Sequence, residues 1–86
     1  MEKTVVIKNE KGIHIRPAGE FVKTASKYKS QVQIDFKGKK VNGKSVMILM
    51  SLGLKKGNEI TIITNGEDAE EALNALVELV ESGFGE

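Results

Sequence analysis

Eighty-six residues, 40% hydrophobic and 29% charged with a single proline, describe one small folded domain (residues 1–86) and exclude a disordered segment. The absence of cysteine excludes disulfides, thiolate metal sites and cysteine nucleophiles, and a lone histidine, His14, excludes a histidine-rich metal site. No apolar run approaches the ~20 residues of a membrane span, and Met1-Glu2-Lys3 does not open a signal peptide. The expectation is a soluble, cytoplasmic domain. The net charge of +1 hides an asymmetry. The first 56 positions hold 13 bases against four acids, 13 − 4 = +9, and the last 30 hold eight acids and no base. That pattern fits either two solvated parts attracting each other across the fold or a basic face for an acidic partner or a phosphate.

The elements follow in chain order. Thr4 to Lys8 alternates weakly, with Val5 and Ile7 on one face, and reads as a strand. Asn9 to Gly12 is a polar loop. Pro17 is expected to open a helix, with Arg16 as its N-cap and Ala18, Phe21, Val22 and Ala25 as its buried stripe. Lys27 to Ser30 ends it. Gln31 to Lys37 alternates, with Val32, Ile34 and Phe36 inward. Gly38-Lys39-Lys40 is expected to turn the chain into a short third strand around Val41. Ser45 caps a two-turn helix that Gly53 stops. Lys56-Gly57-Asn58 is a turn, Glu59 to Thr64 a fourth strand, and Asn65-Gly66 a break. Asp68 with Glu71 fits a capping box for a last helix that Gly83 ends. The order β-α-β-β-α-β-α predicts a two-layer α+β fold with an antiparallel or mixed sheet and helices on one side.

The chemistry concentrates in Gly12-Ile13-His14-Ile15-Arg16-Pro17-Ala18. With Arg16 as cap, no side-chain oxygen meets the first-turn amides, and the N–H groups of Ala18 and Gly19 are expected to be free. Free amides at a helix start favour an anion. An imidazole and a guanidinium stand beside them, and Gly12 permits a tight backbone approach. An imidazole supported by Arg and backbone amides suits nucleophilic attack on a phosphoryl group. Taken alone, a single His or an Arg-Pro-Ala run is more often ordinary surface.

Gly-Ile-His14-Ile-Arg16-Pro17-Ala resembles the active-site motif of HPr, the histidine-containing phosphocarrier of the phosphoenolpyruvate-dependent sugar phosphotransferase system. A second stretch agrees. Lys40-Val-Asn42-Gly-Lys44-Ser45-Val-Met47, continuing through Met50-Ser-Leu-Gly53-Leu, is similar to the regulatory-serine region of HPr proteins of Gram-positive type. The resemblance spans essentially the whole chain and implies the family's open-faced β-sandwich. It implies that His14 accepts a phosphoryl group on Nδ1 from phosphorylated enzyme I and donates it to IIA domains of sugar permeases. It implies that Arg16 supports the phosphoryl group, and that Pro17, Ala18 and Gly19 form the helix start beside it. Ser45 matches the residue modified by an HPr kinase/phosphorylase, which links the family to a catabolite-control transcription regulator. Val46, Met47 and Met50 match an apolar docking patch. Lys23 and Lys27, expected on the polar side of the first helix, are candidates for steering acidic partners or ordinary solvated lysines.

As a helix cap Ser45 has a structural role whether or not a kinase exists. Six apolar residues in seven positions, Val46 to Leu52, cannot all point inward on two turns, so some must face solvent. The chain departs from the family's usual pattern at Lys11, Ile15, Gly43 and Ile48. The expected function is a phosphoryl carrier with no cofactor and no catalytic turnover of its own, working as a monomer without membrane insertion. A second reading is an HPr-like paralogue in regulatory or nitrogen-linked signalling, against which the retention of His14 argues where such paralogues have lost the carrier residue. A small nucleic-acid-binding module is disfavoured, because only Phe21, Tyr28, Phe36 and Phe84 could stack bases and the core claims two of them.

Overall fold

The computed structural model describes residues 1–86. The chain forms β1 (Glu2–Val6), α1 (Ile15–Ala25), β2 (Gln31–Phe36), β3 (Lys39–Asn42), α2 (Val46–Ser51), β4 (Glu59–Asn65) and α3 (Ala69–Glu81), then a 3₁₀ turn over Gly83–Gly85. The four strands make one antiparallel sheet in the order β1-β4-β2-β3. Three strands supply the core, Val5 from β1, Val32 and Ile34 from β2, and Ile60, Ile62 and Thr64 from β4, while the edge strand β3 adds only half-buried Val41. The three helices cover that face with Ala18, Phe21 and Ala25 from α1, Leu49 from α2, and Ala72, Leu73, Leu76 and Val80 from α3. The expected α+β order and layering are therefore present, with every pairing antiparallel.

Two local expectations need correction and a third needs refinement. The two-residue turn between β2 and β3 is Lys37-Gly38, both at positive φ (54° and 84°), and Lys39 and Lys40 already belong to β3. Such a turn matches the twist of the strands it joins. Phe36 does pack against the core but is only half-buried, with the Lys37 ammonium 5.2 Å from its ring centre. Asp68 makes no side-chain cap on α3. Its carboxylate turns away to accept from the Lys29 amide (3.0 Å), the Ser30 amide (3.0 Å) and the Ser30 hydroxyl (2.5 Å). Three donors converging on one carboxylate outweigh a single amide at a helix end. The result ties the end of the α1–β2 loop to the start of α3.

The Ser30 hydroxyl foremost, then the Lys29 amide, holds the Asp68 carboxyl below its ordinary value, against a smaller opposing effect of burial. In the unfolded chain the same group protonates near pH ~4. Its stabilising contribution is thus complete above about pH 4 and is lost as pH falls through the lower folded value. Asp68→Asn should lower the thermal midpoint at pH 7, and the gap from wild type should narrow as pH falls below about 4. A gap that stays constant as pH falls would show that the charge is not what holds the loop.

Candidate functional site

The loop from Asn9 to Ile13 presses against the chain after α2. Gly12 lies at φ 65°, and a Cβ there would overlap the Leu54 carbonyl oxygen. The Ile13 amide donates to that carbonyl at 3.0 Å. Only glycine fits this approach, which delivers His14 to the start of α1. Asn9, buried at 4% exposure, closes the loop by donating from Nδ2 to the Gly12 carbonyl.

His14 itself is the N-cap of α1, in extended backbone (φ −96°, ψ −166°), and its side chain makes no cap bond. The helix therefore starts two residues before Pro17, and Arg16 is inside the first turn rather than its cap. Pro17 is tolerated there because a first-turn amide has no intrahelical acceptor to lose. The consequence moves the free donors. Ala18 N–H already bonds the His14 carbonyl at 3.0 Å, so the unbonded first-turn amides are those of Ile15 and Arg16, not Ala18 and Gly19. Pro17 and Ala18 are buried in the core and Gly19 lies half-buried one position further along the helix.

The side chains of this helix start meet the end of the chain. The 3₁₀ turn after α3 buries Phe84 at 3% exposure and φ 57°. This anchor brings Glu86 back over α1. Its Oε2 lies 2.9 Å from His14 Nε2 and 2.6 Å from Arg16 Nη2, and its Oε1 accepts from Asn9 Nδ2 at 3.2 Å. Arg16 also pairs with Glu20 one turn along, at 2.7 Å, and donates to the Phe84 carbonyl at 3.4 Å. The Arg16 guanidinium holds the Glu86 carboxyl below its ordinary range; burial works against this, and Asn9 and His14 add to it. These groups line an open depression of about 700 Å³ with no hydrophobic wall, into which Lys8, Glu10, Lys11 and Glu81 also face. Glu10 pairs with Lys56 at 2.6 Å, and that bond lowers its carboxyl's proton affinity.

The second region lies on α2. Ser45 is its N-cap, and its hydroxyl accepts from the Ile48 amide at 3.3 Å. Leu49 alone of the helix is fully buried, while Met47 is 82% exposed and Ile48 and Met50 face solvent; Val46 is half-buried. The prediction that this helix must expose apolar side chains holds. Gly43 packs against Val32, whose side chain a Cβ at 43 would meet. Ile15, beside His14, is 69% exposed, so it adds an apolar surface at the helix start instead of filling the core. Lys23 is exposed on α1, but Lys27 falls beyond the helix end, in the turn where its amide bonds the Thr24 carbonyl.

The family model described as the PTS HPr component phosphorylation site matches residues 1–82. The chain belongs to the HPr family. It is 46% identical over 81 residues to the HPr-like protein Crh of Halalkalibacterium halodurans, covering 94% of this chain and 96% of that one. It is 52% identical to HPr-C-His from Thermoanaerobacter tengcongensis, whose crystal structure superposes with a TM-score of 0.96 over 100% of this chain and 97% of that one. An HPr dimer from the same organism matches at 52% identity and a TM-score of 0.80, covering 100% and 99%. The HPr fold, a four-stranded antiparallel open sheet under three helices, is thus the fold of this chain.

Two sequence changes probe these loops. Gly12→Ala should destabilise the protein by about 2 kcal/mol or more, through left-handed strain and overlap with Leu54, which differential scanning calorimetry would read directly. Ser45→Ala should cost ~1 kcal/mol through the lost cap, a fall of about 4–8 °C in a domain this small. An unchanged midpoint in either variant would mean that the contact described contributes nothing to stability.

Proposed function

We propose that this protein is a phosphocarrier that accepts a phosphoryl group on His14 from phosphorylated enzyme I and passes it to IIA domains of sugar permeases. The observation that carries this reading is the His14 ring itself. It stands 37% exposed at the edge of a polar depression, with Arg16 and the first-turn amides of α1 beside it. Such a ring is reachable by a partner's phosphorylated group, and the donors around it suit the charge that arrives. The open shape suits a protein that is a substrate of larger partners and must release its group again. Nothing about the site requires a metal or an organic cofactor, since nucleophile and charge stabilisation both come from the chain.

Arg16 has the role of holding the transferred phosphoryl group, for which it would exchange Glu20 or Glu86. Exposed Ile15, Met47, Ile48 and Met50, with half-buried Val46, give partners an adaptable apolar contact, and Lys23 adds charge on α1. Lys27, beyond the helix, has the same role from the following turn. Ser45 serves regulation: an HPr kinase/phosphorylase adds a phosphate at the start of α2, and up to two negative charges then sit beside that contact surface. Acidic partners would be repelled with no change of fold, and a catabolite-control regulator would read the modified form. A cytoplasmic monomer suits this traffic.

A second reading is favoured by the similarity to Crh: a regulatory paralogue in which the phosphorylation state is the signal and sugar flux is minor. The two readings separate in one experiment. Intact mass is measured after incubation with the host's own enzyme I and phosphoenolpyruvate, for wild type and His14→Ala. A gain of one acid-labile phosphoryl group in wild type alone, passed on when a IIA domain is added, is the expected result. No gain in wild type would retire the carrier reading, and a gain that no IIA domain removes would favour the signalling paralogue.

A further inference from the structure

The contact between His14 and Glu86 carries chemical information beyond proximity. Every other group on the Glu86 carboxylate is a donor: the Arg16 guanidinium at 2.6 Å and the Asn9 amide nitrogen at 3.2 Å. The orientation of that amide is set independently, since the same Nδ2 donates to the Gly12 carbonyl. A carboxylate beside a guanidinium and an amide donor is ionised, and an ionised carboxylate only accepts. The atom of His14 that faces it, Nε2 at 2.9 Å, must therefore carry the proton. In the neutral imidazole that leaves the lone pair on Nδ1, which no protein group hydrogen-bonds.

We propose that Glu86 is a positioning residue for His14: its carboxylate keeps the ring proton on Nε2 and so presents the unprotonated Nδ1 to the phosphoryl donor. The inference rests on the carrier reading above and deepens it. When the Nδ1 lone pair attacks, a nitrogen–phosphorus bond forms. The bond from phosphorus to the donor breaks, and its electron pair leaves with the donor. The Nε2 proton stays in place. The ring then holds a formal positive charge, which lies against the Glu86 carboxylate throughout. Lys8, Glu10, Lys11 and Glu81 also face the depression, but no carboxylate other than Glu86 reaches the ring. The arrangement depends on Phe84, whose burial at 3% exposure holds the last turn over α1.

The test has two readouts. Imidazole ¹⁵N shifts, measured on the unphosphorylated protein at a pH where the ring is neutral, give the tautomer directly. Wild type should show Nε2–H almost alone, and Glu86→Ala should show a clear rise in the Nδ1–H form. The rate of phosphoryl acceptance from phosphorylated enzyme I should fall about tenfold in Glu86→Ala, the size of one lost charge-assisted hydrogen bond in the transition state. Glu86→Asp should recover part of both effects. Glu86→Gln, which keeps an acceptor but no charge, should preserve the tautomer better than the rate. A tautomer ratio unchanged in Glu86→Ala overturns the inference, whatever the rates do. A faster rate in Glu86→Ala also overturns it, because Glu86 would then be an anion that blocks the site. Failure of the carrier reading looks different, as wild type itself would take no phosphoryl group while the tautomer measurement still stood.

Discussion

The approach of Gly12 to the Leu54 carbonyl is the contact on which the rest of the site depends. It joins the loop before α1 to the loop after α2, two segments far apart in sequence. The Ile13 amide then bonds that carbonyl, and His14 emerges in the extended backbone of a helix cap. The identity of residue 12 thus sets the position of a ring two residues later. The backbone carries this placement, so the His14 side chain stays uncommitted to any cap and available at the surface. A site with the proposed function would gain from this, because the rigid part lies behind the exposed ring.

The charge asymmetry of the chain resolves at the same place. The acidic last third returns over the basic first part, and its final carboxylate lands between His14 and Arg16. Attraction across the fold and a basic face for an anion were alternative readings of one pattern, and here they coincide. Glu86 is the intramolecular anion, and the depression around it is where an incoming phosphoryl group would compete for Arg16. Asp68 also gathers donors, but these are neutral, the backbone amides of Lys29 and Ser30 and the Ser30 hydroxyl, and they tie a loop to a helix.

Most of the fold was legible because period and turn residues agree along the chain. The β2 alternation, the Ala18–Phe21–Ala25 stripe and the long stripe of α3 each point to one face. The motifs already placed His14 and Arg16 at the start of α1 and Ser45 at the start of α2. What escaped were choices that local rules leave open. Pro17 is compatible with any first-turn position, so the start of α1 came out two residues early and the free amides shifted to Ile15 and Arg16. Asp68 looked like a cap because sequence spacing cannot show three donors waiting on a distant loop. Glu86 gave no sign of its contact with His14, since 72 residues separate the two. The one available signal was Phe84 between two glycines, an aromatic residue in a segment free to turn back onto the core.

The proposed phosphoryl transfer would take place at one nitrogen of one ring, placed by the Gly12 loop and the last turn of the chain. The most direct measurement is ³¹P and ¹⁵N NMR of the ¹⁵N-labelled protein after phosphorylation by enzyme I and phosphoenolpyruvate. A single phosphorus bonded to Nδ1 of His14, with the proton retained on Nε2, is the expected result. Phosphorus on Nε2, or on any residue other than His14, would contradict it.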